Sequence, residues 1–175
     1  MDGNREVLVR QQGDFLLNAP TTFADCLAQE DELLLENFSQ RNAMEIGLAV
    51  IEAALELTGK PIAVHVQNHD HPLFTHFMDG TGPVNWDWIG KKSRVVHVVG
   101  HSSWGVGIDY RERGLNFNEV TRLDPELFRA EGGSIPLIVR NHGCVGSVTV
   151  SGLLGDEDHE VAVEGLRRWL KTTKK

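Results

Sequence analysis

The stretch Val148-Thr-Val-Ser-Gly-Leu-Leu-Gly-Asp-Glu-Asp-His-Glu160 compresses a strand, a turn and a helix start into thirteen residues. Its turn gathers Ser151, Asp156, Asp158 and His159, and the three acids suit the positive end of the helix that follows. That helix turns Val163, Leu166, Trp169 and Leu170 inward. Immediately upstream, Asn141-His-Gly143 reverses the chain between a strand over Ser134–Arg140 and one over Val145–Ser151. Pro136 has no amide to donate, so its strand belongs at an edge, an end or a bulge. The fold therefore closes on an antiparallel hairpin backed by a helix.

A second hairpin lies earlier. Ile62, Val64 and Val66 alternate with Ala63, His65 and Gln67. Asn68-His-Asp-His-Pro72 turns, and Leu73–Met78 returns. If Gln67 pairs with Pro72, His65 lies opposite Phe74 and diagonal to His76. Before this hairpin, Ser39 caps a helix with two apolar stripes. Ala43, Gly47, Val50, Ala54 and Leu57 form one, and Met44, Leu48, Ile51 and Leu55 the other, which predicts a helix flat against a sheet. Gly59 and Pro61 end it. After the hairpin, Asn85–Val99 reads as a helix, broken by Gly100-His-Ser-Ser103, where Ser102 or Ser103 can cap a further turn.

Three shorter pieces complete the order. A short helix is predicted over Phe23–Asp31 and a strand or helix tail at Leu33-Leu-Leu35. Another short helix is predicted from Asp124-Pro125 to Gly132-Gly133. Helices alternating with antiparallel hairpins give an α+β domain, three-layer α/β/α, and not a doubly wound parallel sheet. Residues 1–22 read as an N-terminal extension and 23–175 as a single domain.

The composition narrows function by exclusion. A net charge of -8 over 175 residues, with no basic patch, disfavours nucleic acid as a partner. No apolar run approaches a bilayer's thickness and no signal pattern opens the chain, so the expectation is a cytoplasmic protein without membrane contact. Two cysteines, Cys26 and Cys144, without CxxC spacing, argue against a disulfide scaffold, structural zinc or covalent haem.

Three segments resemble the UPF0303 group of the haem-degrading HbpS-like, GlcG-like family. They are Asn85-Trp-Asp-Trp-Ile-Gly-Lys-Lys92 with Gly100-His-Ser-Ser103, then Gly132-Gly-Ser-Ile-Pro136, then Gly146 to His159. Val84 stands where that family often has Asp, and Gly90-Lys91 where it often has Arg-Arg. The resemblance implies a profilin-like fold with a five-stranded antiparallel sheet between helices. It also implies homo-oligomers, from dimers to rings of eight or ten, and, from better-studied members, haem binding.

Asn85, Trp88 and Lys92 share one helix face with Val95 and Val99. Lys92 either projects its ammonium to bind an anion alongside Asn85, or pairs with a core carboxylate while Asn85 caps the helix. His159 starts on the inward stripe of the last helix and is expected to bond Ser151 or a backbone carbonyl. A Ser151, His159, Asp158 triad fails, because adjacent helical residues point about 100° apart and no Gly-x-Ser-x-Gly elbow is present. His65, His69, His71 and His76 cluster at one hairpin and are candidate metal ligands, or a solvated His-rich turn. His97 and His101 add an i, i+4 pair of metal-ligand spacing. Trp88 and Trp169 fit helix cores, whereas Trp86 and Trp104 suit an interface or a pocket wall.

The leading functional expectation is a homo-oligomeric binding protein. Its small-molecule or haem site would be built from Asn85, Lys92, His101, Ser102, Ser103, Ser151 and His159 near a subunit boundary. The rivals are a metal-dependent enzyme using the hairpin histidines and an assembly module without ligand.

Overall fold

The computed structural model describes residues 18–173, so residues 1–17 of the expected N-terminal extension lie outside the described residues. In chain order the elements are α1 (Phe23–Glu32), α2 (Gln40–Leu57), β1 (Ala63–Asn68), β2 (His71–Phe77), α3 (Pro83–Val99), α4 (Ser103–Glu112), α5 (Phe117–Thr121), β3 (Ser134–Val139), β4 (Gly143–Ser151) and α6 (Gly155–Thr173). The strands form one antiparallel sheet in the order β2-β1-β4-β3. Among the described residues it has four strands, not five. Beside β3, where a fifth would lie, Leu35 makes a single parallel bridge to Val139, donating to Ile138 O and accepting from Arg140 N. Pro136 sits on the edge strand β3, as its missing amide requires.

The two faces of the sheet differ in chemistry. Val64, Val66, Ile135, Leu137, Val148 and Val150 point into the main core with α2 and α6. His65, Gln67, Ser134, Ser147, Thr149 and Ser151 occupy the alternate positions and are also buried, on the side where α3 lies. Unpaired polar groups there would each cost about 1–3 kcal/mol, so they bond to one another: Ser134 and Thr149 hydroxyls lie 2.8 Å apart.

Ser39 starts α2 with reciprocal bonds, its Oγ accepting from Asn42 N and Asn42 Oδ1 accepting from Ser39 N. Only one of the two predicted stripes on α2 is buried. Ala43, Gly47, Val50 and Ala54 are inside, while Met44, Leu48 and Leu55 are 48%, 47% and 52% exposed. The helix rolls onto α6, where small residues permit close approach. A Cβ on Gly165 would meet Val50 Cα at 2.5 Å.

Several boundaries depart from expectation. A bulge at Val66/Gln67 shifts the first hairpin, so His65 pairs with Thr75 rather than Phe74, and His76 pairs with Val64 on the opposite face. The helix expected from Asp124 is a single turn, in which Asp124 O accepts from Leu127 and Phe128 N. Residues 104–123 instead hold α4 and α5. Val95, Val106 and Phe117 form a second small core there. Among the described residues, no helix is long and apolar enough to cross a membrane.

Candidate functional site

Lys92 leaves α3 toward the sheet and is only 3% exposed. Its ammonium donates to Asp158 Oδ2 at 2.6 Å and to Val150 O at 3.1 Å. Asp158, on the first turn of α6, uses its other oxygen to accept from Leu153 N at 3.0 Å. Of the two roles open to Lys92, the structure shows the ion pair with a buried carboxylate. Burial pushes the Asp158 carboxyl up to about 6, against the lowering effect of Lys92 and the backbone amides.

The three motif segments meet at this pair. The α3 segment brings Lys92, and Asn85, whose Oδ1 accepts from Gly82 N and whose Nδ2 donates to Ser151 Oγ at 3.4 Å. The β4–α6 segment brings Asp158, Val150 and Ser151. The Gly132-Gly133 segment supplies closeness. Gly133 has φ +126°, and a Cβ there would lie 2.8 Å from Lys92 Nζ and 3.0 Å from Asp158 Cβ. A Cβ on Gly132 would strike Gly155 O. Above the pair opens a cleft of about 370 Å³ with Asn85, Ser151 and Trp88 on its walls. Val84 and Leu154, 71% and 67% exposed, form an apolar rim. Trp88 is a half-buried cleft wall and not the core residue expected.

The remaining predicted residues are bonded elsewhere. His101 Nδ1 bonds Glu30 Oε2 at 2.7 Å, and Ser102 N donates to Glu30 Oε1 at 2.7 Å. Ser102 Oγ caps α4 by accepting from Gly105 N. Ser103 Oγ accepts from Ser134 N at 3.1 Å, tying α4 to β3. His159 is fully buried, with Nε2 bonded to Gln29 Oε1 at 2.7 Å, and not to Ser151 or a backbone carbonyl. Its Nδ1 has no partner, and burial lowers the ring to about 3. The tempting triad is absent: Ser151 bonds Asn85, Asp158 bonds Lys92 and His159 bonds Gln29.

The hairpin histidines do not converge. His65 is buried, with Nδ1 2.7 Å from Thr75 Oγ1 and Nε2 2.7 Å from Gln67 Oε1. His76 faces the other way through the bulge, and His71 sits at the start of β2. Among the described residues, no group of three or more His, Cys, Asp or Glu could hold a metal ion. His97 and His101 are also parted, because Gly100 takes φ 82° and ends α3 between them. His97 joins Gln67 at 3.0 Å in a second cleft, of about 300 Å³, on the other flank of α3. Glu30, Gln29 and Gln67 are partners that the sequence reading missed. Gln67 had a readable signal, since it alternates with core valines on β1.

The model of the family described as "Haem degrading protein HbpS-like" matches residues 38–167. The chain belongs to the HbpS-like family. This HbpS-like chain is 40% identical over 154 residues to a UPF0303 protein of Streptomyces coelicolor, covering 87% of this chain and 97% of that one. A UPF0303 protein of Psychromonas ingrahamii is 31% identical over 159 residues, covering 91% and 99%. Among solved structures, the Ybr137w protein superposes with TM-score 0.79 at 24% identity, covering 90% of this chain and 91% of that one. PduOC in a haem complex superposes with TM-score 0.62 at 19% identity, covering 74% and 92%. The structures share the HbpS-like fold with this chain.

Proposed function

We propose that this protein is a self-assembling binding protein that holds a small, largely neutral molecule in the cleft above Lys92 and Asp158. The observation that carries this reading is the convergence of three sequence-distant segments on one charged pair beneath an open, apolar-rimmed cleft. A buried pair is costly to assemble and contributes little net stability, so its place beneath a cleft suits a binding role. Lys92 is committed to Asp158 and Val150, so the floor presents little net charge to a ligand, and exposed Glu131 on the wall disfavours an anion. Asn85 and Ser151 supply directional bonds, and Trp88, Val84 and Leu154 favour an apolar side on the molecule.

Self-assembly is supported by the exposed Met44, Leu48 and Leu55 stripe on α2. Free Cys26 and Cys144 suit a reducing, cytoplasmic setting. The test is a titration of the full chain with a library of neutral fragments, followed by amide NMR. Saturable shifts grouped at Asn85, Trp88 and Ser151, lost in Asn85→Ala, are expected. A library that leaves those signals unmoved refutes the reading.

Haem does not suit this cleft, whose walls carry no His, Cys, Met or Tyr to ligate iron. One observation favours haem elsewhere. His101 is half-exposed, its Nδ1 held by buried Glu30, and its Nε2 has no protein partner among the described residues. A carboxylate behind an imidazole fixes its tautomer and ring orientation for a metal. PduOC, of the same fold, is described in complex with haem. If haem binds, His101 Nε2 would hold the iron and Glu30 would orient it. Haemin absorbance titration of wild type and His101→Ala decides: a saturable band lost in the variant supports this second reading, and uptake equal in both refutes it.

A further inference from the structure

The second cleft, on the opposite flank of α3, takes no part in the proposed function. Its floor is an ordered chain of polar groups. Gln67 lies between two imidazoles, with Oε1 2.7 Å from His65 Nε2 and Nε2 3.0 Å from His97 Nε2. The amide fixes both tautomers. With the amide in this orientation its carbonyl oxygen accepts, which sets the His65 proton on Nε2 and leaves Nδ1 2.7 Å from the Thr75 hydroxyl. An amide nitrogen only donates, so His97 has a bare Nε2 and an N–H at Nδ1. Burial disfavours the charged form of both rings. The His97 Nδ1 faces Asp70, at 3.8 Å, a gap too long for a hydrogen bond. The floor thus ends in one fixed donor beside one acceptor.

The wall is aromatic. Trp86 stands edge to face against His65, with centroids 5.0 Å apart, yet is 47% exposed. Phe77 tilts against its other side at 6.1 Å. Trp86, His97, Gln67 and Asp70 all border the cleft of about 300 Å³. That volume is at the small end for ligand pockets.

We infer that this cleft is a second binding site, for a neutral planar molecule of one or two rings bearing a carboxamide-like edge. The carbonyl of that edge accepts from His97 Nδ1, its N–H donates to Asp70, and its ring packs on Trp86. A carboxylate is disfavoured, because it has no N–H to donate to Asp70, Asp87 also borders the cleft, and Arg94 on its wall already donates to Leu127 O. A metal ion is not suited, since both Nε2 atoms are engaged and His97 Nδ1 carries a proton.

The test uses nicotinamide as the neutral amide probe and nicotinate as its charged counterpart, with the full chain. Ring 15N spectra first read the tautomers: Nε2–H on His65 and Nδ1–H on His97 are expected. Nicotinamide titration should then shift the His97 and Trp86 ring signals saturably, with a Kd of about 1–10 mM for so small a probe. Nicotinate should bind at least about tenfold more weakly. Trp86→Ala, at an exposed position, should weaken nicotinamide about tenfold, and Gln67→Met should free the His97 tautomer and do the same. An Nε2–H tautomer on His97 overturns the inference. So does the absence of saturation at His97 and Trp86, equal binding of nicotinate, or shifts at Asn85 and Ser151 instead. Fragment binding in the first cleft tests the earlier reading separately, because the two clefts report through different signals.

Discussion

Removing the ammonium from the buried pair should destabilise the fold in a pH-dependent way. In Lys92→Met, Asp158 stays buried, at 2% exposure, and loses its partner at 2.6 Å. Breaking a buried pair by removing one partner costs about 3–5 kcal/mol where the survivor must stay charged. The carboxyl of Asp158 is raised from 3.8 to about 6 in the wild type, and losing Lys92 removes the largest lowering influence, so in the variant it rises further. A raised folded-state value means that the folded chain holds a proton that the unfolded chain gives up, so stability falls as pH rises through that window. The Asp158 contribution levels off near pH 6 in wild type, whereas in the variant it goes on falling by about 1.4 kcal/mol per pH unit above it. The deficit of the variant should thus be about 1 kcal/mol near pH 5.5 and about 4 kcal/mol near pH 8. Urea unfolding at the two pH values measures it. Adding Asp158→Asn removes the stranded charge and should make the deficit smaller and flat with pH. A single variant within about 1 kcal/mol of wild type near pH 8, or a deficit equal at both pH values, refutes the account.

Other perturbations give separate readouts. His159 is lowered from 6.5 to about 3, so the unfolded chain takes a proton first and stability falls as pH drops below 6.5. His159→Gln should lack this loss of about 2 kcal/mol between pH 6.5 and pH 5, seen as a flatter pH profile than wild type in urea unfolding. Gly133→Ala should cost more than about 2 kcal/mol, since the residue has positive φ and its Cβ would press on Lys92 and Asp158. Thermal unfolding reads it directly. Gly165→Ala should also lose about 1–3 kcal/mol by pushing α6 off α2 at Val50. A Tm unchanged by either glycine substitution would contradict the packing described.

The layers were legible because they rest on periodicity. Alternating valines on β1 and the inward stripe of α6 fixed two hairpins and their backing helix from the residues alone. The α2 stripes were misread since Met44 and Leu48 look like core residues until a close neighbour such as Gly165 sets the roll of the helix. The hairpin register was misread because a bulge at Val66/Gln67 leaves no composition signal. The candidate site was half legible. Asn85, Lys92 and Ser151 line one cleft, but the pairing of Lys92 with Asp158 crosses 66 positions and is a matter of tertiary distance. His101 and His159 were drawn into the same group, yet α1 supplies both their partners, Glu30 and Gln29. Side chains of α1 gave no periodic cue that they would turn toward two imidazoles.

The layer beneath α3 has a mechanical consequence. A helix resting on oily ridges can slide or roll by fractions of a turn at small cost, since dispersion contacts are weakly directional. This helix, besides the buried Ile89, Val95 and Val96, rests on donors and acceptors. Lys92 is locked to Asp158 and Val150 on one flank, and His97 to Gln67 on the other, about a turn and a half away along the axis. Any shift that spares one lock strains the other. The helix behaves as a keyed bar with two latches, and both clefts inherit a shared wall that moves as a unit or not at all.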